Sequence, residues 1–244
     1  MPSGHMVKFG FLALVLGAGF ALVSLPEYLA RHSAKGQSSC LDVQGDPERC
    51  RFSGGPLEMA GAPVFLPEFQ QAFLPTSQQV EFVDAAGQVW TAPPRTLTDG
   101  ATIPSLFAPL VGDRQSVEFL MAAALHDAYC GVGNEALHTF QARPWEEVHR
   151  MFFEALLVAG TPPKKAKLMF AAVYLGGPRW NDAERSLEGV AEDDLLRELD
   201  WCLRWIEEND PSADEIVTWM RDREMALLMG EQVEPVDYSG PRGI

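Results

Sequence analysis

The rhythm of apolar and polar positions changes several times along this chain, and each change predicts a different element. From Phe9 to Leu25 seventeen residues run without a charge, preceded by Lys8 and closed by Pro26. A helix of that length spans roughly 25 Å, short of a hydrocarbon core of ~30 Å. The pattern predicts the apolar stretch of a signal peptide over residues 1–35, or a short membrane anchor where it stays uncleaved. Residues 36–62 are polar and Gly-rich and read as a linker. Between 63 and 96 the pattern alternates. Gln79–Val83 and Gln88–Thr91 flank Asp84-Ala-Ala-Gly87, which predicts a β-hairpin, and Pro93-Pro94 ends its second strand.

Helical spacing then takes over. Ser116 is placed to cap a helix running to Cys130, where Gly131 and Gly133 stop it. A second helix is expected from Pro144 to Ala159, with Trp145, Val148, Phe152, Ala155, Leu156 and Ala159 on one face. After Gly160, Thr161-Pro162 opens a third as N-cap and first helical residue, ending near Gly176-Gly177. In the acidic stretch that follows, Leu196, Leu199, Leu203 and Ile206 mark one amphipathic helix, and Ser212-Ala-Asp-Glu215 is a capping box opening another. The expected fold class is α+β: a small hairpin or sheet region and a core of three helices over 63–182, then a C-terminal helical extension over 183–244.

Composition narrows the function classes. With 47% hydrophobic residues in 244, the chain can bury a real core. Nineteen basic residues against 34 acidic ones, a net charge of −15, argue against a nucleic-acid partner, because phosphate binding needs clustered Lys and Arg. Cys40 and Cys50 bracket a polar loop containing Gly and Pro, which suits a disulfide in an oxidising compartment; two free thiols are the alternative. Nine intervening residues make a poor zinc spacing. Cys130 and Cys202 read as packing residues or a second bridge. Together these features lead us to expect a periplasmic protein, or a membrane-anchored one facing the periplasm. The acidic helices with Trp201, Trp205 and Trp219 are the surface expected to meet a protein partner.

The candidate chemistry centres on His126-Asp127, which ends the apolar run Phe119–Leu125. Two titratable groups on a buried helix need something to hydrogen-bond, neutralise or coordinate them. His149 shares an edge with Phe152, Phe153 and Leu156 on the next helix, with Glu146 one turn before it, and Asp99 lies in the loop that follows the hairpin. Two imidazoles and a carboxylate suit a divalent metal, zinc first. On this reading His126, His149 and Asp99 are the metal ligands, and Asp127, with His126, is the catalytic pair, the aspartate as orienter or general base. The competing reading is a structural hydrogen-bond network tying loop to helices. No nucleophile elbow, phosphate-binding loop, His-Glu-x-x-His or dinucleotide fingerprint occurs.

Four segments carry a resemblance: Thr98-Asp-Gly-Ala-Thr-Ile-Pro104, Ala123-Ala-Leu-His-Asp127, Glu147-Val-His-Arg-Met-Phe-Phe-Glu-Ala155 and Met169-Phe-Ala-Ala-Val-Tyr-Leu-Gly176. In order and spacing they resemble a phage- and prophage-associated bacterial domain of unknown function, over residues 60–180. The resemblance implies a small α+β fold with a hairpin region and a three-helix core, and it implies no established activity. Asp99, His126 and Asp127 match its polar positions. His149 stands where the family carries an aspartate, an exchange that keeps the capacity to bind a metal while changing the charge. Two functions follow as expectations. One is an exported or membrane-anchored protein with a metal-assisted, hydrolase-like site acting on an envelope substrate. The other is a non-catalytic envelope or phage-related interaction module.

Overall fold

The β-hairpin around Asp84 sets the first layer. Val80–Val83 (β4) and Val89–Ala92 (β5) pair antiparallel with Phe82 opposite Trp90. Gly87, at φ +82°, supplies the left-handed residue of the turn, and its N–H donates to the Asp84 carbonyl. The Asp84 carboxylate accepts from the Gln88 N–H and from the Trp90 indole, both at 2.8 Å, so the turn and the core aromatic Trp90 are fixed by one side chain.

In this computed structural model the described residues are 39–42, 48–67, 69, 71–100 and 117–231. The N-terminal apolar segment, residues 101–104 of the loop after Asp99, and the expected cap Ser116 lie outside them. The described residues all fall within one compact unit. Among the described residues no helix is long and apolar enough to cross a membrane.

Arg51–Ser53 (β1) adds to the other edge of β4, giving an antiparallel sheet in the order β1-β4-β5. A second antiparallel sheet runs β2-β3-β6, from Val64–Phe65 (β2), Ala72–Pro75 (β3) and Leu97–Thr98 (β6). Among the described residues five helices follow: Val117–Cys130 (α1), Trp145–Val158 (α2), Pro163–Gly176 (α3), Glu192–Asn209 (α4) and Ala213–Leu228 (α5), with a short 3-10 turn at Ala183–Arg185. The fold is α+β. The third helix starts one residue later than expected: Pro162 is its N-cap and Pro163 its first residue, because two prolines in sequence suit the extended cap and the preset φ of the first turn. The capping box at Ser212 and Glu215 forms in full.

The core lies between the β1-β4-β5 sheet and α1, and continues through α2 and α3 to α4 and α5. Its largest buried side chains include Trp90, Phe119, Phe152, Phe153, Phe170, Tyr174 and Trp219. The Tyr129 hydroxyl of α1 accepts from the Thr91 N–H at 3.3 Å, and its ring meets Trp90 edge-on at 5.3 Å. Asn134, after α1, clamps the second sheet: its amide exchanges hydrogen bonds with both backbone groups of Leu97 at 2.8 Å and donates to the Asp127 carbonyl at 3.0 Å. Cys40 and Cys50 form the expected disulfide, while Cys130 and Cys202 are free, so no second bridge exists.

The acidic helices use their tryptophans internally. Trp205 and Trp219 stack at 6.0 Å, and Arg223 of α5 grips the buried Glu198 of α4 in a two-point ion pair at 2.6 and 2.8 Å. Glu224 of α5 reaches back to the segment that follows α3, pairing with Arg179 at 2.8 Å and with Arg185 of the 3-10 turn at 2.6 Å.

Candidate functional site

His126 faces α2 because α1 ends against it. The helix stops where the Gly131 N–H donates to the Asp127 carbonyl at 2.8 Å, and a side chain at Gly131 would strike that backbone. This places His126 in the last turn beside Phe152, ring centres 5.0 Å apart, and beside His149, 5.2 Å apart. Both imidazoles have 0% exposure. The structure thus brings His126 and His149 together, across the α1–α2 contact.

His149 sits in an aromatic box. Trp145 lies 5.4 Å from its ring, Trp180 6.3 Å and Tyr174 6.4 Å. Gly177 closes one edge: a β-carbon there would come within 2.9 Å of the ring's Cε1 and 3.1 Å of Nε2. Neither ring nitrogen of His149 has a hydrogen-bond partner among the described residues. A buried polar atom left unpaired costs about 1–3 kcal/mol, so such atoms call for a reason.

Cys130 joins this pair. It lies one turn after His126 on the same face of α1, and one donor atom from each of His126, Cys130 and His149 falls within 4.8 Å of the others. The Cys130 sulfur is 3.4 Å from Nδ1 and 3.4 Å from Nε2 of His126. Equal distances to both nitrogens put the sulfur over the ring face, since any in-plane point equidistant from them would collide with a ring carbon. The thiol's hydrogen-bond acceptor is therefore the His126 carbonyl, also at 3.4 Å.

Burial governs the protonation of the cluster. It pushes His126 down to about 3. His149 is held well below its ordinary value by burial first, then by His126 and by the Arg179 guanidinium. The Cys130 thiol is driven well up by burial and by the nearby Asp127. The resting site is two neutral imidazoles and a neutral thiol, with the nitrogen lone pairs available.

The other residues picked from the sequence are placed differently. Asp127 is buried beside His126, its Oδ1 4.0 Å from Nδ1, beyond hydrogen-bond reach. Asp99 is not among the groups whose donor atoms converge on the histidines, and its carboxylate accepts from the Gln71 amide at 3.1 Å. Glu146 turns away from His149. It accepts from Tyr174 at 2.7 Å, Arg185 at 2.9 Å and Arg221 at 2.9 Å. Burial alone would raise its pKa, but these three donors outweigh it and the net shift is downward. Above this network the Arg179 and Arg185 guanidinium groups lie over the Trp145 ring, at 4.7 and 4.9 Å.

Cys130 and Gly177 were missed from sequence. The His-x-x-x-Cys spacing is the signal for the first, because it sets both side chains on one helical face. Gly177 carries no such signal, as a glycine after a helix usually serves the cap.

Residues 76–173 match a family model described as Protein of unknown function (DUF1353). The chain is also similar to two proteins of Sinorhizobium fredii (strain NBRC 101917 / NGR234). It is 41% identical to Uncharacterized protein y4iH over 99 residues, 41% of this chain and 38% of that one. It is 31% identical to Uncharacterized protein y4jT over 129 residues, 53% of this chain and 34% of that one. The chain thus matches little more than a third of the length of these relatives. No solved structure matches. The matched family region contains the whole His126–Cys130–His149 cluster.

Proposed function

We propose that this protein is an exported, metal-holding module in which His126 and His149 bind a zinc-class ion, with Cys130 as third donor. The observation that carries the reading is His149: both nitrogens fully buried and unpaired among the described residues, beside a second neutral imidazole and a thiol. Two nitrogens and a sulfur are the donor set zinc favours. The edges of a tetrahedral zinc site are about 3.4–3.6 Å, so the donors, now within 4.8 Å, need to close by up to roughly an ångström. Rotation of Cys130 about its first side-chain bond would carry its sulfur off the ring face. Binding would release the thiol proton, so affinity is expected to fall in acid.

A metal-assisted hydrolase acting on an envelope substrate is a narrower use of the same residues. It requires water and substrate at the ion, and two imidazoles with no exposure favour a closed site joining α1 to α2. The buried cluster therefore supports the non-catalytic module over the hydrolase. The Cys40–Cys50 disulfide supports an oxidising compartment, to which the apolar run at 9–25 would direct the chain.

Elemental analysis of the purified full chain tests the reading. About one zinc per chain is expected, lost in His149→Gln and His126→Gln, with a chelator lowering the melting temperature of the wild type alone. A wild-type protein that takes up no zinc and whose melting is unmoved by added zinc overturns it.

A further inference from the structure

We propose that the His126–Cys130–His149 cluster takes cuprous copper in preference to zinc, as a three-coordinate ion with neither water nor a fourth ligand. The inference rests on the metal reading above and names the ion that the cluster fits best. Zinc in proteins almost always fills four positions, with four side chains in structural sites and with three and a water in catalytic ones. Cuprous copper is a soft, closed-shell ion that accepts two or three donors and selects sulfur. What separates the two ions here is the fourth position.

Among the described residues three donor atoms converge, one each from His126, Cys130 and His149, and no other His, Cys or carboxylate joins them. Asp127 is the nearest acid, its Oδ1 4.0 Å from His126 Nδ1. It follows His126 directly on α1, so the two side chains diverge by about 100°, and its carboxylate is not within reach of all three donors. Asp99 is bonded to Gln71, and Glu146 to Tyr174, Arg185 and Arg221. The remaining sides are aromatic. Phe152 stands 5.0 Å from the His126 ring, and Trp145, Trp180 and Tyr174 stand 5.4, 6.3 and 6.4 Å from that of His149. Gly177 closes against the Cε1–Nε2 edge of His149. Such walls supply no ligand, and a buried water needs two to four polar partners that they do not offer. Zinc on these three donors would be short of a ligand, whereas cuprous copper would be complete.

Cys130 strengthens the preference. It is the only one of the three residues that keeps some exposure, while both imidazoles have none, so an incoming ion meets the soft donor first. On binding, the thiol releases its proton to water and the sulfur donates an electron pair to copper. Each imidazole supplies one nitrogen lone pair, and the copper keeps its oxidation state. Where zinc is already bound, cuprous copper takes over the same thiolate and zinc leaves as the aqueous dication.

The test uses the purified full chain with its disulfide intact, loaded with zinc and titrated without oxygen with cuprous ion supplied as its bicinchoninate complex. Fading of that complex reports copper uptake, and a zinc-binding dye reports release. About one zinc per chain is expected to leave as about one copper enters, and about a tenfold excess of zinc should not reverse the exchange. X-ray absorption at the copper should show two nitrogens and one sulfur. Cys130→Ser, checked for folding by circular dichroism, should lower the cuprous affinity at least about tenfold more than the zinc affinity. The wild-type titration decides the matter even where that variant fails to fold. Zinc that stays bound against excess cuprous ion, or a fourth ligand at the copper, overturns this inference and leaves the zinc reading standing. Copper uptake without zinc uptake supports it and overturns the zinc assignment alone. Uptake of neither ion overturns both.

Discussion

At the scale of single residues, Gly177 decides where His149 can sit. Its φ of −79° is open to any residue, so the demand for glycine is steric. An added methyl would lie 2.3 Å from the Val173 carbonyl, which is backbone and cannot swing aside, and 2.9 Å from the imidazole. Gly177→Ala is expected to cost about 1–3 kcal/mol in urea denaturation and to weaken zinc uptake by displacing His149. Unchanged stability and unchanged uptake would show that the ring has room to move. The histidines themselves were legible in the sequence, because an imidazole or carboxylate closing an uncharged helix stands out by type. Cys130 was not, since a thiol in an apolar helix looks like packing. Nor could any local pattern tell which of Asp99, Asp127, Glu146 and His149 would meet His126, as that is decided by how α1 crosses α2.

At the scale of elements, α4 and α5 are held by two devices of unequal weight. The capping box at Ser212 is exposed and local, worth about 1 kcal/mol. The Glu198–Arg223 pair is buried, with Glu198 fully enclosed. Arg223→Met would leave that carboxylate inside without its partner, at a cost of about 3–5 kcal/mol, against about 1 kcal/mol for Ser212→Ala. Thermal melts of the two variants side by side check the ranking, and equal losses would contradict it. The box was readable because Ser and Glu three residues apart contain the whole motif. The ion pair was not, since its members lie 25 positions apart. The sheets divide the same way. The β4–β5 hairpin is announced by its turn. By contrast β2 and β6, two residues each, are too short to alternate, and β1 finds β4 only through the tertiary fold.

At the scale of the whole molecule, the two histidines couple stability to acidity. An unfolded chain protonates histidine near pH 6.5, whereas folded His126 waits until about 3 and His149 lies well below its ordinary value. Their folded pKa values are depressed, so stability is complete above pH 6.5 and is lost as pH falls towards 3. Between pH 7.5 and 5.0 the His126 imidazole should cost about 2 kcal/mol in chelator-treated protein, with His149 adding a loss of the same sign. His126→Phe should show a correspondingly shallower loss in urea titrations at the two pH values; parallel curves would mean that the ring takes up its proton as readily in the folded chain as in the unfolded one. One further consequence concerns where this protein can be cut. Arg179 and Arg185 lie over Trp145, against the box that holds His149, and Glu224, near the far end of the last helix, is their shared counterion. A fragment trimmed to residues 76–173, the stretch that matches the family model, would lose that helix and both arginines, and with them the cover over Trp145. The smallest piece that keeps the pocket intact therefore reaches at least to Glu224.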